Sequence, residues 1–209
     1  MQVWVKRLFG RKSTRTPIPI VSGLPRSGTS MLMRMLDAGG LPPLTDNLRT
    51  ADADNPEGYY EFERVKQLDK GDTAWLATAQ GRAVKVISAL LQHLPSTYDY
   101  QVIFVERQMA EILASQRKML AHRQAAHLID AQQDTVEDAQ MTALFEKHLR
   151  AIRQWLAQQP NVTVIYIHYS DLLREPTVQA AKIHQFLGNS LDVDKMVGVI
   201  DPTLYRNRV

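Results

Sequence analysis

Residues Gly23-Leu-Pro-Arg-Ser-Gly-Thr-Ser30 bring two glycines, one guanidinium and three hydroxyls into one short stretch. Gly23 and Gly28 permit positive φ and close backbone approach, so consecutive N–H groups can converge on a single anion. The apolar run from Ile18 to Val21 reads as a buried strand leading into the loop. Met31 to Leu36 reads as a helix leaving it, with its N-terminal N–H groups and positive dipole end turned to the same anion. The chemistry is that of a phosphate or sulfate site. Against the nucleotide-binding pattern G-x-x-x-x-G-K-[ST], Thr29 stands where the lysine belongs and the cation lies inside the loop as Arg26. That departure counts against ATP or GTP hydrolysis, because the lysine that grips the β/γ-phosphates is missing.

A second pair lies downstream. Arg107 closes the apolar run Gln101 to Val105, and Ser115 follows eight residues later, two turns into the next expected helix. Strand ends and early helix faces are where open α/β sheets bind ligands. An Arg fork can hold a phosphate bidentately, with the hydroxyl as a neutral donor beside it. The alternative is that Arg107 pairs with Glu111, one turn away, and Ser115 is a surface residue.

Leu24 to Ser30 resembles the 5′-phosphosulfate loop of the sulfotransferases that use 3′-phosphoadenosine 5′-phosphosulfate (PAPS), and the Arg107/Ser115 separation resembles their 3′-phosphate site. Tyr169-Ser-Asp-Leu-Leu-Arg-Glu-Pro176 and Phe186-Leu-Gly188 resemble further landmarks of the family, so the likeness spans nearly all of residues 17–209. The resemblance implies that Arg26, Ser27, Gly28, Thr29 and Ser30 hold the 5′-phosphosulfate, with Thr29 and Ser30 on the 5′-phosphate. Arg107 and Ser115 would hold the 3′-phosphate, and Arg206 or Arg208, from a late basic segment, would close over it. It further implies transfer of a sulfuryl group to a hydroxyl or amine, with adenosine 3′,5′-bisphosphate (PAP) leaving. No metal is expected, since a sulfuryl group carries less charge than a phosphoryl group.

The catalytic set expected on this resemblance is Arg26, Lys85 and Glu61. Cytosolic members place a His two residues after a Lys behind the second strand. Here Lys85 matches that Lys, but Ile87 occupies the His position. His93 lies too close to Arg107 to fit the family spacing. Other branches take a carboxylate from the segment after the first helix, where Asp46, Glu57, Glu61 and Glu63 are the candidates. Glu61, following Tyr59-Tyr60, is the first choice. His168 reads as a structural hydrogen-bonder.

A chain of 209 residues holds one good core and is short for two domains. The expectation is one α/β domain over residues 17–209, with residues 1–16 as a basic tail. Strands at Ile18–Val21, Ala83–Ile87, Gln101–Val105 and Val162–His168 alternate with helical patterns. That pattern predicts a central parallel sheet of about four or five strands flanked by helices. The first helix should stop at Gly39-Gly40. Leu41 to Gln80, rich in Pro, Asp, Asn, Glu and Tyr, reads as active-site covering and not as core. A capping box at Asp134–Glu137 should open a long helix whose apolar stripe includes Met141, Leu144, Phe145, Leu149, Ile152 and Leu156. The net charge of +3 suits an anionic donor and is too weak to argue for nucleic acid. With no cysteine, disulfides and Cys-based zinc sites are excluded. No run approaches a membrane span, so the expectation is a soluble cytoplasmic protein acting on a small molecule more than a polymer. The rival readings are a P-loop kinase or NTPase, with Glu106 as its strand-end acid, and a non-catalytic nucleotide- or anion-binding protein.

Overall fold

The computed structural model describes residues 16–46, 48, 58–125 and 138–201. Residues 1–15 of the basic tail, Glu57, the Asp134–Glu137 box, Arg206 and Arg208 lie outside the described residues. Four parallel strands form one sheet: β1 (Ile18–Gly23), β2 (Val84–Lys85), β3 (Tyr100–Glu106) and β4 (Val162–His168). Their order is β2-β1-β3-β4, with Ile18 opposite Tyr100, Gly23 opposite Val105 and Glu106 opposite His168. The helices are α1 (Thr29–Ala38), α2 (Met109–Ala125), α3 (Asp138–Gln158), α4 (Tyr169–Arg174), α5 (Pro176–Phe186) and α6 (Val193–Gly198).

Both sheet faces are covered, which is why β1 and β3 read as unbroken apolar runs. On one face Ile20, Val102 and Phe104 pack with Trp75, Leu91, Ile152 and Leu156. On the other, Val21, Ile103, Val105 and Ile167 pack with Leu32, Leu36, Leu172 and Ile183. The first helix ends where its glycines predict, with Gly39 as its C-cap. Pro176 opens α5, where its missing N–H costs nothing.

Three expectations need correction. The segment from Leu41 to Gln80 is not mere covering: Leu44, Val65, Leu68, Trp75, Leu76 and Ala79 are core residues. Two 3-10 helices, Glu63–Lys70 and Ala74–Thr78, bury these few apolar side chains, and the Trp75 indole N–H is satisfied by the Asp72 carbonyl at 2.9 Å. Ala83–Ile87 contributes only a two-residue strand, since its register with β1 is confined to Val84 and Lys85, and a 3-10 helix follows over Ser88–His93. Leu144 is not on the buried stripe of α3. Ile152 and Leu156 are buried and Leu149 packs against the same core, whereas Leu144 is 59% exposed.

Truncating the stripe should therefore separate these leucines. Leu156→Ala should cost about 2–5 kcal/mol in a urea unfolding titration, while Leu144→Ala should stay within about 0.5 kcal/mol of the parent.

Candidate active site

The order β2-β1-β3 places the ends of three strands side by side, with the loop after β1 in the middle. Within the loop Arg26 has φ +69° and Gly28 φ +106°. This alternation of hand curls the backbone into a nest from which α1 begins. Gly23 is needed because a Cβ there would lie 2.6 Å from both the Ser27 hydroxyl and the Val105 carbonyl. Gly28 is needed for its dihedral and because its missing side chain is replaced by the Tyr169 ring, 2.3 Å from where a Cβ would sit.

Arg107, just past β3, ties the loop down. Its NH1 group donates to the Arg26 carbonyl at 3.2 Å, 81 residues away in sequence. Its Nε donates to Glu111 at 2.7 Å, both side chains being less than a tenth exposed. Its guanidinium also lies 4.3 Å from the centroid of the Tyr169 ring. Burial pushes the Tyr169 phenol above its usual pKa, with Arg107 acting against the shift, so the ring stays neutral. Arg26 reaches back the other way, its Nε donating to the Ser115 hydroxyl at 2.9 Å. Ser115 is 5% exposed, so it is not a surface residue, while the Arg107–Glu111 pair does form.

On the opposite side of the loop, Lys85 at the end of β2 donates to the Ser30 hydroxyl at 3.0 Å and to the Tyr59 carbonyl at 2.8 Å. Ser27 is turned under the loop: its N–H donates to the Leu24 carbonyl at 3.2 Å and its hydroxyl is buried with no partner among the described residues. Thr29 and Ser30 open α1. Three cations thus border one nest, with Glu111 on Arg107.

The acidic candidates separate. Asp46 accepts the Glu63 N–H at 2.7 Å and the Leu48 N–H at 3.1 Å, so its carboxylate braces the start of a 3-10 helix. Glu63 is held by Lys66 at 2.6 Å. Glu61 lies 3.7 Å from Lys66 and is 22% exposed, two residues from the carbonyl that holds Lys85. Glu106 carries Arg153 and, at 3.4 Å, His168. His93 is exposed. Among the described residues no cluster of three His, Asp or Glu could hold a metal ion.

Sequence reasoning did not assign Tyr169 or Glu111 to the site. Tyr169 was visible as the head of a landmark and Glu111 as an i, i+4 partner of Arg107, but nothing in either pattern told that both would be buried on the loop.

Residues 18–207 match the description of the sulfotransferase domain. The chain belongs to that family. As a sulfotransferase it moves a sulfuryl group to an acceptor, and its fold is found among solved members. A sulfotransferase from Mycobacterium tuberculosis is 17% identical, with a TM-score of 0.54 over 91% of this chain and 75% of that one. A mouse sulfotransferase complexed with PAP is 14% identical, with a TM-score of 0.52 over 92% and 65%. The sulfotransferase domain from the curacin biosynthetic pathway is 16% identical, with a TM-score of 0.50 over 90% and 79%. At these identities the likeness is one of fold. No curated protein matches the sequence. No described helix is long and apolar enough to cross a membrane.

Two glycines make the role of the Tyr169 contact measurable. Gly28→Ala meets both a left-handed dihedral and the ring, and should cost about 3 kcal/mol or more in chemical unfolding. Gly40→Ala, at φ +99° with nothing within 4 Å of the added Cβ, should cost only about 1–2 kcal/mol.

Proposed function

We propose that the nest and its flanking cations bind PAPS and that the enzyme transfers its sulfuryl group to a small acceptor bearing a hydroxyl or amine. The observation that carries this reading is the meeting of Arg26 with Arg107 and Ser115, which joins the anion loop to a second anion-binding pair. One site for one phosphate would not need two such sets. The residues fit the donor: loop N–H groups and the Thr29 and Ser30 hydroxyls suit the 5′-phosphate, and the fork of Arg107 with Ser115 suits the 3′-phosphate. The Ser27 hydroxyl, buried under the loop with no partner among the described residues, is a further donor. Arg206 is assigned to the 3′-phosphate on the family resemblance alone.

The donor supplies an electrophilic sulfur, and PAP is its leaving group. The acceptor oxygen or nitrogen forms the new bond to sulfur, the bond from sulfur to the 5′-phosphate oxygen breaks with its electron pair, and the acceptor proton passes to a base. Arg26 and Lys85 offset charge on the sulfuryl oxygens and the leaving oxygen. Glu61 takes the proton in this reading. Asp46 is committed to two backbone N–H groups, and Lys66 sits 2.6 Å from Glu63 and 3.7 Å from Glu61; Glu61 is favoured because it stands in the segment whose Tyr59 carbonyl holds Lys85. Ile87, in the place of the family's His, has no proton to exchange. Thr29 in the lysine position, and Glu106 engaged by Arg153 and His168, weigh against phosphoryl transfer.

Calorimetric titration should give saturable PAP binding without magnesium. Arg107→Lys, which keeps the charge and loses the fork, should weaken it at least about tenfold, and Arg107→Ala should abolish it. Preference for magnesium-ATP would replace this reading with a kinase, and binding of PAP with no transfer to any acceptor would leave a binding module. In the transfer assay, Glu61→Gln should lower kcat about 10²–10⁴-fold with PAP affinity intact, and Arg26→Ala about 10²–10³-fold. An unchanged kcat in Glu61→Gln would remove the base assignment.

A further inference from the structure

Ile87 at 43% and Leu144 at 59% are among the exposed large apolar side chains of the described residues. Ile87 follows β2. Val84 and Val86 are buried, Lys85 is half-buried and Ile87 exposed, and Val86 still donates to the Val21 carbonyl at 3.0 Å. The period of two continues past the strand, so Ile87 is on the same side of the chain as Lys85, and thus beside the nest.

Leu144 belongs to the upper half of α3. That helix descends to the start of β4. Its Ile152 and Leu156 pack on mid-strand residues and its Arg153 bonds Glu106, the last residue of β3. From Asp138 to Arg153 an α-helix extends about 22 Å, so its first half rises beyond the sheet edge that carries the loop. The overhang is fastened to the segment after β2, because the His148 Nε2 and the Ser88 hydroxyl are 2.8 Å apart. Burial lowers the pKa of His148, which keeps the contact between neutral groups. Met141, Leu144 and Phe145 stand seven, four and three residues before His148, on its side of the helix. Ile87 is the chain neighbour of Ser88. The fastening therefore brings an apolar helix face and an apolar strand end to one place, next to Lys85.

Resting on the sulfuryl-transfer reading, we propose that Ile87, Met141, Leu144 and Phe145 form the acceptor wall, and that the acceptor is an alcohol or amine carried on an apolar body, not a sugar. Continuity with Lys85 identifies the occupant: the surface leads from the Ser88–His148 contact to the cation that offsets charge at the transfer site, so a ligand covering it presents its nucleophile there. Apolar side chains left in water beside a binding cleft are accounted for when a ligand covers them.

The test uses the protein saturated with PAP and titrates 1-butanol, 1-hexanol, 1-octanol and glucose by calorimetry. Affinity should rise about three- to fourfold for each methylene added, and glucose should give no binding. Ile87→Ser and Leu144→Ser, both at exposed positions, should each cut the gain to below about twofold per methylene while PAP still binds. Affinity independent of chain length, preference for glucose, or a gradient unchanged in both variants would overturn the proposal. Failure of PAP to bind, seen before any alcohol is added, would instead remove the donor site on which the proposal rests.

Discussion

The site depends on where the guanidinium of Arg107 is held. A buried cation is costly unless it is both paired and hydrogen-bonded. Here Glu111 pairs it, the Arg26 carbonyl accepts from it and the Tyr169 ring faces it. Those partners come from the first turn of α2, the loop after β1 and the start of α4, so stabilising one charge gathers three segments. The same contacts shape the nest. Arg26 keeps its left-handed backbone while its carbonyl is held by Arg107 and its side chain by Ser115, and Gly28 lets the Tyr169 ring close against the loop. In the proposed function, stability and anion recognition share these atoms, and substitutions at Arg107 must be read for both.

Strand order does the rest. With β1 between β2 and β3, Lys85, the loop and Arg107 fall in one row along the carboxyl edge of the sheet. An anion seated on the loop has a cation on each side and the helix N-terminus beneath it. The connection from β3 to β4 adds α3, whose lower half completes the core and whose upper half stands above that edge. The apolar stripe of that helix thus ends as core only where the sheet ends.

The segment between α1 and β2 shows how a polar stretch can belong to a core. It is rich in Pro, Asp, Asn, Glu and Tyr, yet Val65, Leu68, Trp75 and Leu76 complete one face of the sheet. Short 3-10 turns expose most of their residues and bury a few, so neither a helical nor a strand period appears. Asp46, an attractive base by composition, braces the Glu63 N–H. Its role was set by a backbone donor 17 residues away.

The local features were legible in the sequence. The strand, glycine loop and helix at residues 18–38 follow from hydrophobic period and glycine placement, and the parallel α/β sheet follows from alternation of strands and helices. So does the kind of chemistry, since loop N–H groups and an internal arginine suit an anion wherever they occur. Tertiary structure alone decided which residues share the site. That Arg107 would reach the Arg26 carbonyl, that Ser115 would be buried beneath Arg26, that Tyr169 would stand in for a side chain on Gly28 and that Leu144 would miss the core are long-range facts. They depend on strand order and on where a helix crosses the sheet edge, and no pattern within one element contains either.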